Sequence, residues 1–173
     1  MTPAAELIYN HDYAQRLYQG EKPFSEAWQD LVYQGEVFER AYHEIIVPAL
    51  ETLPKITGFE WARRELPIYV IPEGQSMAAP LTLVASADVE DMLFTLITLL
   101  TRVNVATGFT TDLKRDQVMH AVARAVATAL KIDLEDAAAE AMLRLHEKYG
   151  EDFQPLGWDL TTRTARAYLS PNT

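Results

Sequence analysis

Apolar residues recur every three or four positions along most of the chain, a spacing that predicts amphipathic helices. The longest such stretch begins at Ser25, which is expected to cap it, and ends at Gly58. Pro48 lies within it and predicts a kink or break near Glu44. Further helices are predicted over residues 4–19, 88–106, 112–131 and 133–150, with a last short one near 162–169. The chain is therefore expected to be mainly helical.

Two short β-strands are predicted between the longest helix and the helix that follows it. The first has its clearest core at Ile68–Ile71, where β-branched and aromatic residues are concentrated. Glu73–Ser76 has turn chemistry, and the second strand is expected over Leu81–Ser86. Because two strands alone are marginally stable, a third strand is expected around Phe59–Arg64.

The helix predicted over residues 88–106 carries apolar residues on most of its circumference, which indicates burial. Ser86 or Asp88 is expected to cap it. The whole pattern predicts a single α+β domain over residues 1–173. It is expected to be helix-rich, with a small β-sheet of two or three strands packed against the central buried helix and the surrounding helices.

Composition narrows the functional classes. The 173 residues are 49% hydrophobic and carry a net charge of −10, which disfavours binding to nucleic acids and to anionic membrane surfaces. The N-terminal sequence has no basic start followed by an apolar core, so no secretory signal is expected. The absence of cysteine excludes disulfides and thiolate metal sites, and a cytoplasmic location is predicted.

Polar side chains form a row on each of two consecutive predicted helices. The row on the central helix consists of Asp91, Thr95, Thr98, Thr101 and Arg102. The row on the next helix consists of Asp116, His120, Arg124 and Thr128. The two rows line a polar cleft if they face each other, and are two solvated helix faces if they do not. In the cleft, His120 is a candidate for proton transfer near neutral pH, with Asp116 or Asp91 as the carboxylate that orients it.

Recognisable metal and cofactor motifs are missing from the sequence. No two histidines have the spacing of metal ligands, and the nucleophile elbow, P-loop and dinucleotide fingerprints are absent. The expectation is therefore no bound metal and no cofactor.

The block of strand, loop, strand and helix over residues 66–101 resembles small zincin-type metallopeptidases, whose active-site helix carries HExxH after a Thr-Leu pair. Here Thr95-Leu96 is followed by Ile97 in place of the first histidine, Thr98 in place of the glutamate and Thr101 in place of the second histidine. In that family the histidines bind zinc and the glutamate activates water. The resemblance therefore implies a related fold that has lost its zinc-binding motif.

This resemblance favours a non-catalytic, metallopeptidase-like domain that acts in binding or regulation, with a peptide or protein as its partner. Such peptidases add an extended substrate to a sheet edge, so a groove is expected beside Leu81–Ser86. His120 lies where related folds commonly supply a further metal ligand.

Two alternatives stay open. One is an enzyme that uses acid–base chemistry at His120 and Asp116. The other is a helical interaction module or homo-oligomer, suggested by the aromatic residues in the first quarter of the chain. These are Tyr9, Tyr13, Tyr18, Trp28, Tyr33, Phe38 and Tyr42.

Overall fold

The computed structural model describes residues 1–105 and 109–156, and in them it contains a four-stranded mixed sheet and five α-helices. The strands are β1 (Ala4–Ile8), β2 (Glu65–Ile71), β3 (Met77–Ala78) and β4 (Leu81–Val84). The helices are α1 (His11–Leu17), α2 (Phe24–Thr57), α3 (Val89–Asn104), α4 (Asp112–Leu130) and α5 (Glu135–Tyr149), followed by a 3₁₀ turn at Gly150–Asp152. The predicted α+β class is confirmed. The helix predicted near residues 162–169 lies outside the described residues.

The sheet has the strand order β1-β2-β4-β3. β2 pairs in parallel with both β1 and β4, and β3 pairs antiparallel with β4 through Met77↔Thr82 and Ala78↔Leu81. β2 and β4 are the two strands that the sequence predicted. β1 and β3 are the edge strands, and they raise the sheet above the two or three strands expected.

The first predicted helix is wrong in its first half, because Ala4–Ile8 forms strand β1. These residues bond to Glu65–Tyr69, a partner some sixty positions away that local periodicity does not reveal. Helix α1 begins only after Asn10, whose side-chain oxygen accepts from the Tyr13 N–H at 2.9 Å. Its Tyr13 hydroxyl then lies 2.7 Å from that of Thr82, which ties α1 to β4.

The third strand predicted over Phe59–Arg64 is also wrong, because side chains hold this segment as an irregular connection. The Phe59 N–H donates to the Thr57 hydroxyl, and the Phe59 carbonyl accepts from Asn104 Nδ2 at 2.9 Å. Thr57 and Asn104 are themselves joined at 2.6 Å. This buried network fastens the end of α2 to the end of α3.

Helix α2 is continuous for 34 residues, so of the kink or break predicted near Glu44 the break does not occur. It starts at Phe24 after Pro23, and Ser25 is not its cap. Pro48 and a second proline, Pro54, lie inside it. Since Pro54 has no N–H, the Leu50 carbonyl lacks its helical donor. The Trp61 indole Nε1 supplies the missing hydrogen bond at 2.8 Å.

Helix α3 lies at the centre of the fold, in contact with α2, α4, α5, β3 and β4. Asp88 caps it by accepting from the N–H groups of Glu90 and Asp91, as predicted. Most of its apolar side chains are buried in one core with those of α2, β2 and α4. In that core the Tyr42 hydroxyl has no hydrogen-bond partner among the described residues, and burial together with the charge of Glu6 raises the pKa of Tyr42 to about 12.

Candidate functional site

The two polar rows meet in part. A pocket of about 310 Å³ lies between α3, α4 and α5, and we refer to it as the α3–α5 pocket. Its polar lining consists of Ser76, Thr95, Thr98, Arg102, Asp116, His120, Arg144 and Lys148. Its apolar lining consists of Phe94, Leu99, Met119, Ala141 and Leu145. A concave site of this volume that combines apolar and polar side chains fits a ligand-binding pocket.

The remaining members of the rows have other positions. Thr101 is fully buried in the core, and its hydroxyl donates to the Ile97 carbonyl at 2.7 Å. Arg124 pairs with Glu135 on α5 at 3.0 Å, and the Thr128 hydroxyl donates back to the Arg124 carbonyl. The cleft predicted from the sequence is therefore shorter than the two rows.

His120 is 5% exposed and is held by the backbone of α5. Its Nε2 lies 2.9 Å from the Ala138 carbonyl. Since a carbonyl only accepts, Nε2 carries the proton and Nδ1 is the acceptor of the neutral ring. Burial, assisted by the charge of Arg124, lowers the pKa of His120 despite the bond to Ala138, so the ring is neutral at pH 7.

The predicted carboxylates have partners other than this ring. Burial acts to raise the pKa of Asp116, but hydrogen bonds from Tyr149 at 2.6 Å and Lys148 at 2.9 Å, together with Arg115, outweigh it and hold that pKa below its usual value. Asp91 forms an ion pair with Arg144 at 2.7 Å. Within the described residues, the hydrogen-bond partner of the His120 ring is thus a backbone carbonyl and neither carboxylate.

A second pocket, of about 500 Å³, follows the sheet edge next to the first, and we refer to it as the β3 pocket. It is lined by Trp61, Ala62, Arg63, Met77, Ala78, Ala79, Arg102 and Val103. Both pockets include Arg102, and together they border four consecutive residues, 76–79, of which Met77–Ala78 is the edge strand. We refer to the two pockets and the outer edge of β3 between them as the β3 groove. Its floor is α3.

The groove lies one strand away from its expected position. β4 is flanked by β2 on one side and β3 on the other, and beyond β3 the Val84 N–H donates to the Ser76 hydroxyl at 3.0 Å. The edge beside Leu81–Val84 is therefore covered, and the open edge on this side of the sheet belongs to β3. Ala85 and Ser86 border a separate pocket of about 240 Å³ between α2 and the start of α3. The Ala85 N–H donates to the Ile71 carbonyl of β2. Because backbone groups alternate in direction along a strand, the N–H and C=O groups of Thr82 and Val84 point toward β3. The backbone groups of Met77, opposite Thr82, then point toward β4, and the N–H of the next residue, Ala78, points outward.

The three positions of the degenerate motif differ in exposure. Ile97 and Thr101 are both 0% exposed and lie in the core, whereas Thr98 lines the α3–α5 pocket. The Thr98 hydroxyl donates to the Phe94 carbonyl at 2.9 Å. In the part of the chain that the structure describes, no group of three histidine or acidic side chains is placed to hold a metal ion.

The seven aromatic residues that suggest an interaction module differ in exposure. Phe38 and Tyr42 are buried, Tyr33 is 87% exposed, and the other four are half-buried. Tyr33 and Val37 border a small apolar pocket of about 240 Å³ between α2 and the start of α3. If the chain is an interaction module, this patch is the surface through which it would bind.

Comparisons with known proteins return no match: no family model, no curated protein and no solved structure corresponds to this chain. The resemblance to zincin-type metallopeptidases therefore stays a prediction. Among the described residues, no helix combines the length and the hydropathy needed to cross a bilayer.

Proposed function

We propose that this chain is a non-catalytic binding domain whose ligand is an extended peptide segment of a partner protein, taken up along the β3 groove. The observation that carries the proposal is the position of the β3 edge. It runs between two pockets that share Arg102, directly above α3.

A strand edge offers a peptide both hydrogen bonds and selectivity. Unpaired N–H and C=O groups of an edge strand bond to an added strand, and pockets beside the edge receive alternate side chains. Here the Ala78 N–H faces outward, and the α3–α5 pocket lies on the α3 side of the edge. A peptide paired with β3 would direct every second side chain toward α3, because side chains alternate along a strand.

The proposal includes a relationship to zincin-type metallopeptidases. An edge strand beside a central helix is the arrangement that those enzymes use for substrate, and Thr98, at the position of their glutamate, lines the groove. The proposal is of binding without hydrolysis, since Ile97 and Thr101 occupy the positions of the histidines.

The acid–base alternative has one supporting observation: His120 is neutral and lines the α3–α5 pocket. Binding is favoured because the ring is hydrogen-bonded to the Ala138 carbonyl and not to a carboxylate, and because burial outweighs the charge of Glu135, which acts to stabilise an imidazolium. Turnover of a bound peptide that is lost in His120→Gln would support the alternative.

The test is selection from a displayed library of random peptides, followed by amide hydrogen exchange on the complex. We expect bound peptides to slow exchange at residues 76–79, above all at the Ala78 amide, while exchange on the opposite edge strand β1 stays unchanged. A library without binders contradicts the proposal. So do binders that leave β3 unprotected.

A further inference from the structure

We infer that the segment bound in the β3 groove carries an acidic side chain two positions from a large apolar side chain, with Arg102 as the partner of the acid. This inference rests on the proposed function and adds the chemical class of the ligand. Its evidence is the charge of the groove, the position of Arg102 between the two pockets without a salt bridge among the described residues, and the spacing along α3.

The charge of the groove is opposite to that of the chain. Acidic residues outnumber basic ones by 25 to 15 in the sequence. The lining of the two pockets nevertheless contains four basic residues, Arg63, Arg102, Arg144 and Lys148, against one acidic residue, Asp116. A local positive site on an acidic surface attracts an anionic group and also repels basic segments.

Arg102 is the basic residue that borders both pockets, whereas Arg63, which also has no salt bridge among the described residues, borders the β3 pocket alone. Arg144 is paired with Asp91 at 2.7 Å, and Lys148 with Asp116 at 2.9 Å. Arg102 is exposed and has no salt bridge within residues 1–105 and 109–156. A guanidinium presents a planar fork of donors that matches a carboxylate.

The spacing along α3 fits the repeat of a strand. Thr98 and Leu99 line the α3–α5 pocket, and Arg102 follows three or four residues later, a rise of about 4.5–6 Å along the helix. Side chains two positions apart in a strand lie on the same face, about 6.5–7 Å from each other. When an apolar side chain of the bound peptide lies above Thr98 and Leu99, the peptide side chain two positions away therefore lies near Arg102.

The test uses soluble peptides taken from a library with a fixed leucine and, two positions away on either side, Glu, Gln or Lys in otherwise matched sequences. Affinity is measured by fluorescence polarisation against the wild-type chain, Arg102→Glu and the control Arg40→Glu, which makes the same charge change on the exposed face of α2. We expect the wild type to bind the Glu peptide about three- to tenfold more tightly than the Gln peptide. Arg102→Glu should prefer the Lys peptide, and Arg40→Glu should behave like the wild type.

Failure of this inference and failure of the proposed function are distinguishable. The inference of an acidic ligand is overturned if peptides protect β3 from exchange but bind equally well with Glu or Gln, and equally to Arg102→Glu. That result would still support the β3 groove as the binding site. Equal losses in Arg102→Glu and Arg40→Glu reduce the effect to overall charge and overturn the role of Arg102. The absence of any binding peptide overturns the proposed function itself.

Discussion

The hydrogen bond from Trp61 to Leu50 gives a prediction about the prolines of α2. Pro54 deprives the Leu50 carbonyl of its helical donor, and the Trp61 indole replaces that donor at 2.8 Å. Replacing Trp61 by Phe removes the N–H and leaves a buried carbonyl unsatisfied, which costs about 1–3 kcal/mol. The smaller ring loses roughly another 1 kcal/mol of apolar contact. We therefore expect Trp61→Phe to lower the free energy of unfolding by about 2–4 kcal/mol.

A double-mutant cycle separates these two contributions. In Pro54→Ala the restored N–H at position 54 bonds to Leu50, so Trp61→Phe should cost only the lost contact, about 1 kcal/mol. The assay is urea unfolding followed by far-ultraviolet circular dichroism in all four variants. Trp28→Phe, a substitution on α2 that does not involve Leu50, serves as the control and should cost the same in both backgrounds. Costs of Trp61→Phe that agree within about 0.5 kcal/mol between the backgrounds would refute the reasoning.

The remaining predictions use the same unfolding and binding measurements. His120 has a lowered pKa in the fold, so the unfolded chain takes up a proton first as the pH falls through about 6.5; stability should therefore decrease from pH 7.5 to 5.5, and less steeply in His120→Gln. A slope unchanged by that substitution would contradict this. Tyr42→Phe removes a buried hydroxyl that has no partner among the described residues and should leave stability unchanged or raise it. Tyr13→Phe, which loses the contact to β4, should lower stability by about 1 kcal/mol; the opposite order would refute the assignment of partners. Ala141→Phe fills the α3–α5 pocket and should weaken peptide binding at least severalfold, while Ala139→Phe on the exposed face of α5 should not; equal effects would place binding elsewhere.

Sequence patterns predicted the elements that are long or that depend on residues near one another in the sequence. The four helices after α1, the Asp88 cap and the strands around Ile68 and Leu83 follow from periodicity and composition. β1 was missed because its partner is distant in sequence, and β3 because two residues carry no periodicity. The segment predicted as a third strand has strand-like composition, but side chains from α2 and α3 bind its backbone.

The candidate site was predicted only in part, for a related reason. Periodicity places Thr98 and His120 each on a polar row, but it does not say which rows face each other. That depends on how α3, α4 and α5 pack. The contribution of α5 was therefore missed, although Arg144 and Lys148, four residues apart on one helix face, were a visible signal. Ser76 was assigned to a turn, and its place in the groove depends on the unforeseen strand β3.

The pairing of β1 with β2 also has a consequence for synthesis on the ribosome. Ala4–Ile8 leave the exit tunnel before Glu65–Tyr69, which follow after about sixty further residues. At about 5–20 residues per second, this takes on the order of 3–12 seconds. The backbone hydrogen bonds within α2 are local and can form in that interval, since helices form in about a microsecond. The bond from Thr57 to Asn104 can form only later. Translation thus allows the helical turns of α2 to form before the parallel sheet can begin, and a nascent chain stalled before residue 65 would expose β1 as an unpaired strand open to association with other chains.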